Sequence, residues 1–279
     1  MGLIKKKLII AVPARLESDR LPNKVLKNIN GKPMLRRVLD KCSDCKVEAK
    51  VIVCTDSEEI SNLANSWGVE VLITSKSFSS GSERISSLVN ELLSIAWGLE
   101  KEIKPTQNIL DKTVIINVQA DQPFVSPQLI KDIYNEFNNN KLRHEILTPI
   151  YLLKEKNIHD PNIVKVVVSS TGNALYFSRS AIPHVRGENP AEWHKFSNYY
   201  GHIGIYGFRA NILANWGNMP ISQLERMERL EQLRLLESGL TIKTLLFAGD
   251  VCSIDTYEDL ENVNYKIHNN KTIKDYSKN

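Results

Sequence analysis

The sequence predicts an α/β fold with a mostly parallel central sheet and a smaller β-rich, partly antiparallel segment. Three observations carry this. Strand-length apolar runs alternate with helical stretches from Leu8 to the helix begun at Ser126-Pro127. The run Thr113 to Val118 (TVIINV) reads as a central strand buried on both faces. From about Ile146 to Phe208, β-type runs succeed one another without long helices between them. The chain of 279 residues is expected to form one unit, 1–279, with residues 146–208 as the β-rich segment within it.

Taken in order, Leu8 to Val12 is an apolar strand that breaks at Pro13 into a loop carrying Arg15, Arg20 and Lys24. Gly31 and Pro33 open a helix with Met34, Leu35, Val38 and Leu39 at core-facing spacing. Lys50 to Cys54 is a strand, and Asp56 with Glu59 has the spacing of a capping box for a helix through Trp67, stopped by Gly68. Val69 to Thr74 is a third strand, and a helix is expected from about Glu83 to Trp97. Gly98 to Lys112 shows no period and reads as a surface connection. Ser126-Pro127 starts another helix, with Ser as cap and Pro in the first turn. Strands follow at Leu147 to Leu153, Ile163 to Val168, Ala174 to Phe177 and His202 to Phe208. Ser222 and Glu225 form a capping box for a helix with a Leu224, Met227, Leu230, Leu233 stripe, ended by Gly239 before a last strand, Thr241 to Phe247.

Composition narrows the function classes. With 36 basic and 32 acidic residues the net charge is +4, and no polybasic block marks a nucleic-acid partner. No apolar run reaches the ~18 residues of a membrane span. The Lys5-Lys6-Lys7 cluster precedes too short an apolar run for a signal peptide, so a cytoplasmic protein is expected. Cys42 and Cys45 make a lone C-x-x-C without a second pair, which reads as two thiols near a helix end rather than a metal or redox site.

Four constellations sit where strands hand over to loops. Arg15, Arg20 and Lys24, in a loop stiffened by Pro13 and Pro22, have the make-up of an anion site at a sheet edge; solvated surface cations are the alternative. Ser79-Ser80-Gly81-Ser82-Glu83-Arg84 lets backbone approach a flat ligand beside a helix start, or is a flexible Ser loop. Asp121, in Asn117-Val118-Gln119-Ala120-Asp121-Gln122-Pro123, either holds a hard cation or caps a turn. Asp255 either gives a second carboxylate to the same ion or is an N-cap for the helix at Glu258. Cations for phosphate together with two carboxylates for Mg²⁺ are the kit of nucleotide chemistry by charge neutralisation. Neither G-x-G-x-x-G nor G-x-x-x-x-G-K-[ST] occurs, which argues against dinucleotide oxidoreductases and P-loop NTPases.

Together these stretches resemble the 3-deoxy-manno-octulosonate (Kdo) cytidylyltransferases, or CMP-Kdo synthetases. The resemblance runs through Ile9 to Lys24, Ser80 to Arg84, Val118 to Pro123, Ala174 to Arg179, His202 to Gly207, Leu230 to Arg234 and Ile254 to Thr256. It implies a Rossmann-like nucleotidyltransferase fold and an enzyme of lipopolysaccharide biosynthesis that joins CTP to a sugar acid, releasing pyrophosphate. In-line attack of the anomeric hydroxyl on the α-phosphorus, with Mg²⁺ as cofactor, is the implied mechanism. By the same resemblance Lys24, Asp121 and Asp255 are catalytic, with both aspartates as metal ligands. Arg15, Arg20, Lys24, Ser80, Gly81 and Arg84 bind the nucleotide, and Gln119, Arg179, His202, Tyr206, Glu231 and Gln232 the sugar acid. His202 and Tyr206, at even spacing on one strand, point to one face. A homodimer is implied as well.

The chain departs from the family where Gln119-Ala120-Asp121-Gln122-Pro123 stands for Gln-Gly-Asp-Glu-Pro, and again at Ile182-Pro183-His184-Val185. Gln122 removes a negative charge near the cation site, and Ala120 is expected to crowd a loop that needs glycine's freedom. The substrate is therefore Kdo or a close analogue. The alternatives are a cytidylyltransferase for a modified acid such as 8-amino-Kdo, and a non-catalytic nucleotide-binding homologue.

Overall fold

Strand β1 (Lys7–Ala14) lies at the centre of the protein. Leu8, Ile10 and Val12 enter one apolar cluster, while Ile9 and Ala11 enter another on the opposite face. A strand buried on both faces needs helices on both sides of its sheet. The computed structural model describes residues 6–18, 21–78, 80–100, 103–139, 144–249 and 253–269.

Past β1 the chain makes a 3-10 turn at Lys24–Leu26 and a short hairpin, β2 (Asn28–Ile29) with β3 (Lys32–Pro33), then α1 (Met34–Ser43). β4 (Ala49–Thr55), α2 (Glu58–Ser66), β5 (Glu70–Ile73), α3 (Gly81–Ser86), α4 (Val89–Trp97), α5 (Gln107–Lys112) and β6 (Thr113–Asn117) follow. α6 (Pro127–Asn138) leads into β7 (Ile146–Leu152), β8 (Lys165–Val168), β9 (Ala174–Ser178), β10 (Tyr200–His202) and β11 (Tyr206–Arg209). α7 (Ala210–Ala214), α8 (Gln223–Glu228), α9 (Gln232–Glu237), β12 (Ile242–Leu246) and α10 (Tyr257–His268) complete the described chain.

The main sheet begins β5-β4-β1-β6 with all neighbours parallel, so the loops after β1 and β6 open at the same edge. β11 then pairs antiparallel with β6 and β7, β12 pairs in parallel with β7, and β10 links β7 to the β8–β9 hairpin. The α/β class with a partly antiparallel extension is the observed architecture. Residues of α3, α4 and α7 cover one face of β1 and β6; those of α1, α2 and α6 cover the other. A third, smaller cluster matters for function: Leu21, Ile29 and Met34 pack with Ile254, Leu260 and Val263, so the loop after β1 is clamped onto α10.

Several elements differ from expectation, each for a local reason. The N-cap of α2 is Ser57, whose hydroxyl accepts from the Ile60 amide, because Asp56 is committed to Arg84. The helix expected at Glu83 to Trp97 is two: the Ser86 and Ser87 hydroxyls donate to the Glu83 and Arg84 carbonyls, and the turn tightens at Leu88. The helix expected after Ser222 also breaks, at Arg229 with φ 53°, although its Ser222–Glu225 capping box is present. The break leaves Met227 exposed rather than on a core stripe. Gly98 to Lys112 contains α5, capped by Thr106.

His202 to Phe208 is not one strand but β10 and β11. Opposite lies Pro149 of β7, which has no N–H to continue a ladder. There the chain loops out, Ile205 N donating to Ile203 O at 2.6 Å. Cys42 and Cys45 are buried free thiols at the end of α1, and burial pushes the Cys42 thiol up.

Candidate active site

A cavity of about 1160 Å³ opens at the edge where the loops after β1 and β6 meet the segment before α10. Lys24 stands in its wall, buried, on the 3-10 turn that the third cluster fixes. Its ammonium donates to Asp121 Oδ2 and to Asp255 Oδ1, each at 2.8 Å. Burial alone would lower the lysine's pKa, but the charges and hydrogen bonds of the two aspartates outweigh it and the net shift is upward. The backbone reinforces the pairing, since Ile254 N donates to Asp121 O at 3.2 Å. Asp255 is not the N-cap of α10: Thr256 caps it, in a box with Asp259. The Asp259 carboxylate also accepts from the Asp255 amide at 3.1 Å, holding that residue at the cavity. The two carboxylates thus converge on one point while each keeps about a third of its side chain exposed, 33% and 34%. Two converging, partly open carboxylates fit a hard divalent cation.

Arg15 lines the same cavity from the end of β1. Ser80 caps α3, accepting from the Glu83 amide, and Gly81 follows with backbone so close to its neighbours that a Cβ there would lie 2.8 Å from Gln119 Nε2 and 2.9 Å from Pro13 Cγ. Both line the wall. Arg84 reaches the wall too, but its guanidinium is committed: it pairs with Asp56 at 2.8 Å and bonds the Thr74 hydroxyl. It ties together the loops after β4 and β5. Arg20 and Cys252 lie outside the described residues.

Of the residues expected on the sugar side, Gln119 and Arg179 line the cavity. Arg179 is anchored by Glu228, whose carboxylate accepts its amide and whose carbonyl accepts its Nε, both at 2.9 Å. His202, Tyr206, Glu231 and Gln232 are not on the wall. His202 packs edge-on against Phe177, and its Nε2 lies 2.8 Å from Thr148 Oγ1. Burial pushes its pKa down to about 3. Tyr206 stacks on Phe208 in the core and lies beside His202. Glu231 bonds Ser80 and Ser82, and burial raises its pKa. Gln232 is buried. Lys154, Asp160, Asn162 and Arg229 add polar groups to the wall that no motif had marked. For Arg229 the only signal is the helix break it makes, visible once the backbone is known.

Residues 9–242 match the family described as cytidylyltransferase. The chain is 37% identical over 253 residues to 3-deoxy-manno-octulosonate cytidylyltransferase of Thermodesulfovibrio yellowstonii, covering 91% of this chain and 95% of that one. It belongs to the 3-deoxy-manno-octulosonate cytidylyltransferase family.

A second relative, the 3-deoxy-manno-octulosonate cytidylyltransferase of Chlorobium luteolum, is 36% identical over 91% of this chain and 94% of its own length. A solved structure of CMP:2-keto-3-deoxy-manno-octonic acid synthetase complexed with CTP superposes with a TM-score of 0.80 at 29% identity, covering 95% and 99% of the two chains. A cytidylyltransferase from Leptospira borgpetersenii, 16% identical with a TM-score of 0.58 over 95% and 87% of the two chains, shares the fold. Against the family's usual Gly, Ala120 does not strain its loop: it is absent from the described residues with left-handed backbone, and its methyl is buried. Gln122 continues the same turn, donating its amide to Gln119 O at 3.1 Å.

Proposed function

We propose that the protein transfers CMP from CTP to Kdo, giving CMP-Kdo and pyrophosphate. The anomeric oxygen forms the new bond to the α-phosphorus, the bond to the β-phosphate oxygen breaks, and the hydroxyl proton leaves to solvent. The observation that carries this reading is the cluster of Lys24 between Asp121 and Asp255 on the cavity wall. On this reading Arg15 and Lys24 hold the triphosphate, joined by Arg20, and Asp121 and Asp255 are the ligands of Mg²⁺. The ion supplies charge neutralisation to the phosphates and the departing pyrophosphate. Ser80 and Gly81 present backbone to the cytidine, with Arg84 bracing their helix. Arg179 suits the sugar's carboxylate and Gln119 its hydroxyls.

The same reading takes the chain as a single cytoplasmic nucleotidyltransferase unit that works as a homodimer. Residues 146–208, where Leu152 and Leu175 are exposed, would supply contacts. No observation favours a modified acid or a binding-only protein. The deciding measurement is pyrophosphate release with CTP, Mg²⁺ and Kdo, beside 8-amino-Kdo, with UTP, GTP and ATP as competitors for the nucleotide site. Release is expected with CTP and Kdo, and to fall at least ~100-fold in Asp121→Asn. No release with Kdo would overturn the reading.

A further inference from the structure

One polar chain in the structure is explained neither by packing nor by the catalytic cluster. Asn117, at the end of β6, and Ser82, in α3, are both fully buried. Asn117 Nδ2 donates to Ser82 Oγ at 3.1 Å, and Asn117 Oδ1 accepts from Gln119 Nε2 at 3.1 Å. Ser82 Oγ in turn donates to Glu231 Oε1 at 2.8 Å. The four side chains thus form one directional line, Gln119 to Asn117 to Ser82 to Glu231, drawn from β6, its following loop, α3 and the start of α9.

The direction of each bond has consequences. With one hydrogen of its Nε2 given to Asn117, the Gln119 side chain is held in one orientation on the cavity wall. The single Ser82 hydrogen goes to Glu231 Oε1, which Ser80 also bonds, so the Ser82 oxygen is left facing the Asn117 amide as its acceptor. A buried line of matched donors and acceptors holds each member to one orientation, and Gln119 is the member that reaches the cavity wall. Gly81 belongs to the arrangement, because a side chain there would strike the Gln119 amide.

We propose that Asn117 and Ser82 are positioning residues of the sugar-acid subsite, setting the Gln119 amide on the cavity wall in the orientation that receives the hydroxyls of a polyhydroxylated acid. The inference rests on the proposed function only for the identity of that ligand. Neither residue touches the reacting atoms; each acts through its neighbour.

The test compares the wild-type protein with Ser82→Ala, Ser82→Thr and Asn117→Leu. In Ser82→Ala, KM for Kdo is expected to rise about tenfold while KM for CTP and kcat change by less than about twofold. Ser82→Thr keeps the hydroxyl and restores KM. Asn117→Leu removes the acceptor that holds Gln119 Nε2 and raises KM for Kdo in the same way. KM for CTP and Kdo rising together, or an unchanged KM for Kdo in Ser82→Ala with melting temperature preserved, would overturn the proposal. If the wild-type protein releases no pyrophosphate with Kdo, the functional reading fails by itself. The relay is then judged by crystal structures of wild type and Ser82→Ala: a reoriented Gln119 side chain supports it, and an unchanged one overturns it.

Discussion

Lys24 is held by two carboxylates that lie 97 and 231 residues away in sequence. Removing its ammonium leaves Asp121 and Asp255 converging without a counter-charge. Lys24→Met is therefore expected to lose about 1 kcal/mol in metal-free buffer, a small figure because solvent reaches both carboxylates. Added Mg²⁺ should recover more stability in the variant than in the wild type, while turnover stays at least ~100-fold down. Thermal unfolding with and without Mg²⁺ checks this, and a variant indifferent to the ion would contradict it. His202 supplies a pH dependence. The Thr148 hydroxyl gives its hydrogen to Ile205 O at 2.8 Å, so it accepts from His202 Nε2–H and the ring sits neutral. The histidine's pKa is near 6.5 when unfolded and pushed down to about 3 by burial in the fold. Between those values the unfolded chain takes up a proton that the native ring refuses. Stability is thus complete above pH 6.5 and lost as pH falls, by up to about 1.4 kcal/mol per unit. Urea unfolding from pH 7 to 5 should show that slope, and His202→Gln should flatten it.

At the scale of elements, α10 does more than fill the third cluster. Its capping box ties Thr256 to Asp259, and Asp259 holds the amide of Asp255. Thr256→Ala is expected to cost about 1 kcal/mol of stability, the usual worth of a cap. Because Asp255 is then less well held, it should also weaken the response to Mg²⁺; denaturant midpoints and Mg²⁺ titrations of activity test both halves. The capping boxes at Ser222 and the Ser126-Pro127 start were legible because every group they use lies within one helical turn. The cap of α2 was not. Asp56 and Ser57 both suit an N-cap one residue apart, and a guanidinium 28 residues downstream takes the aspartate. Nor was the break at Arg229 legible, since a left-handed arginine carries no mark in the sequence.

For the whole molecule, the cavity is lined from β1, the start of α3, the loop after β6, the β7–β8 connection, the end of β9 and the segment before α10. A ligand that touches all of these stabilises the fold as a unit. CTP with Mg²⁺ at a hundred times its Kd should add about 2.7 kcal/mol, or about 5 °C in Tm for a chain of this size. Calorimetric scans with CTP and with UTP test it, and an equal shift from both would contradict the cytidine preference.

The sequence by itself determined the α/β class, the central place of β6, and the motif stretches that match the family. These depend on local periodicity and on residues near one another in the chain. Only the tertiary structure decided that Asp121 and Asp255 converge on Lys24 and that Thr256, not Asp255, caps α10. It also moved His202 and Tyr206 off one strand, and it drew Gln119, Asn117, Ser82 and Glu231 into one line. Each of those outcomes turns on which side chain meets which across scores of residues. That pairing is set by packing β6 against α3, by clamping Leu21 onto Ile254, and by the missing N–H at Pro149, none of which a local pattern encodes.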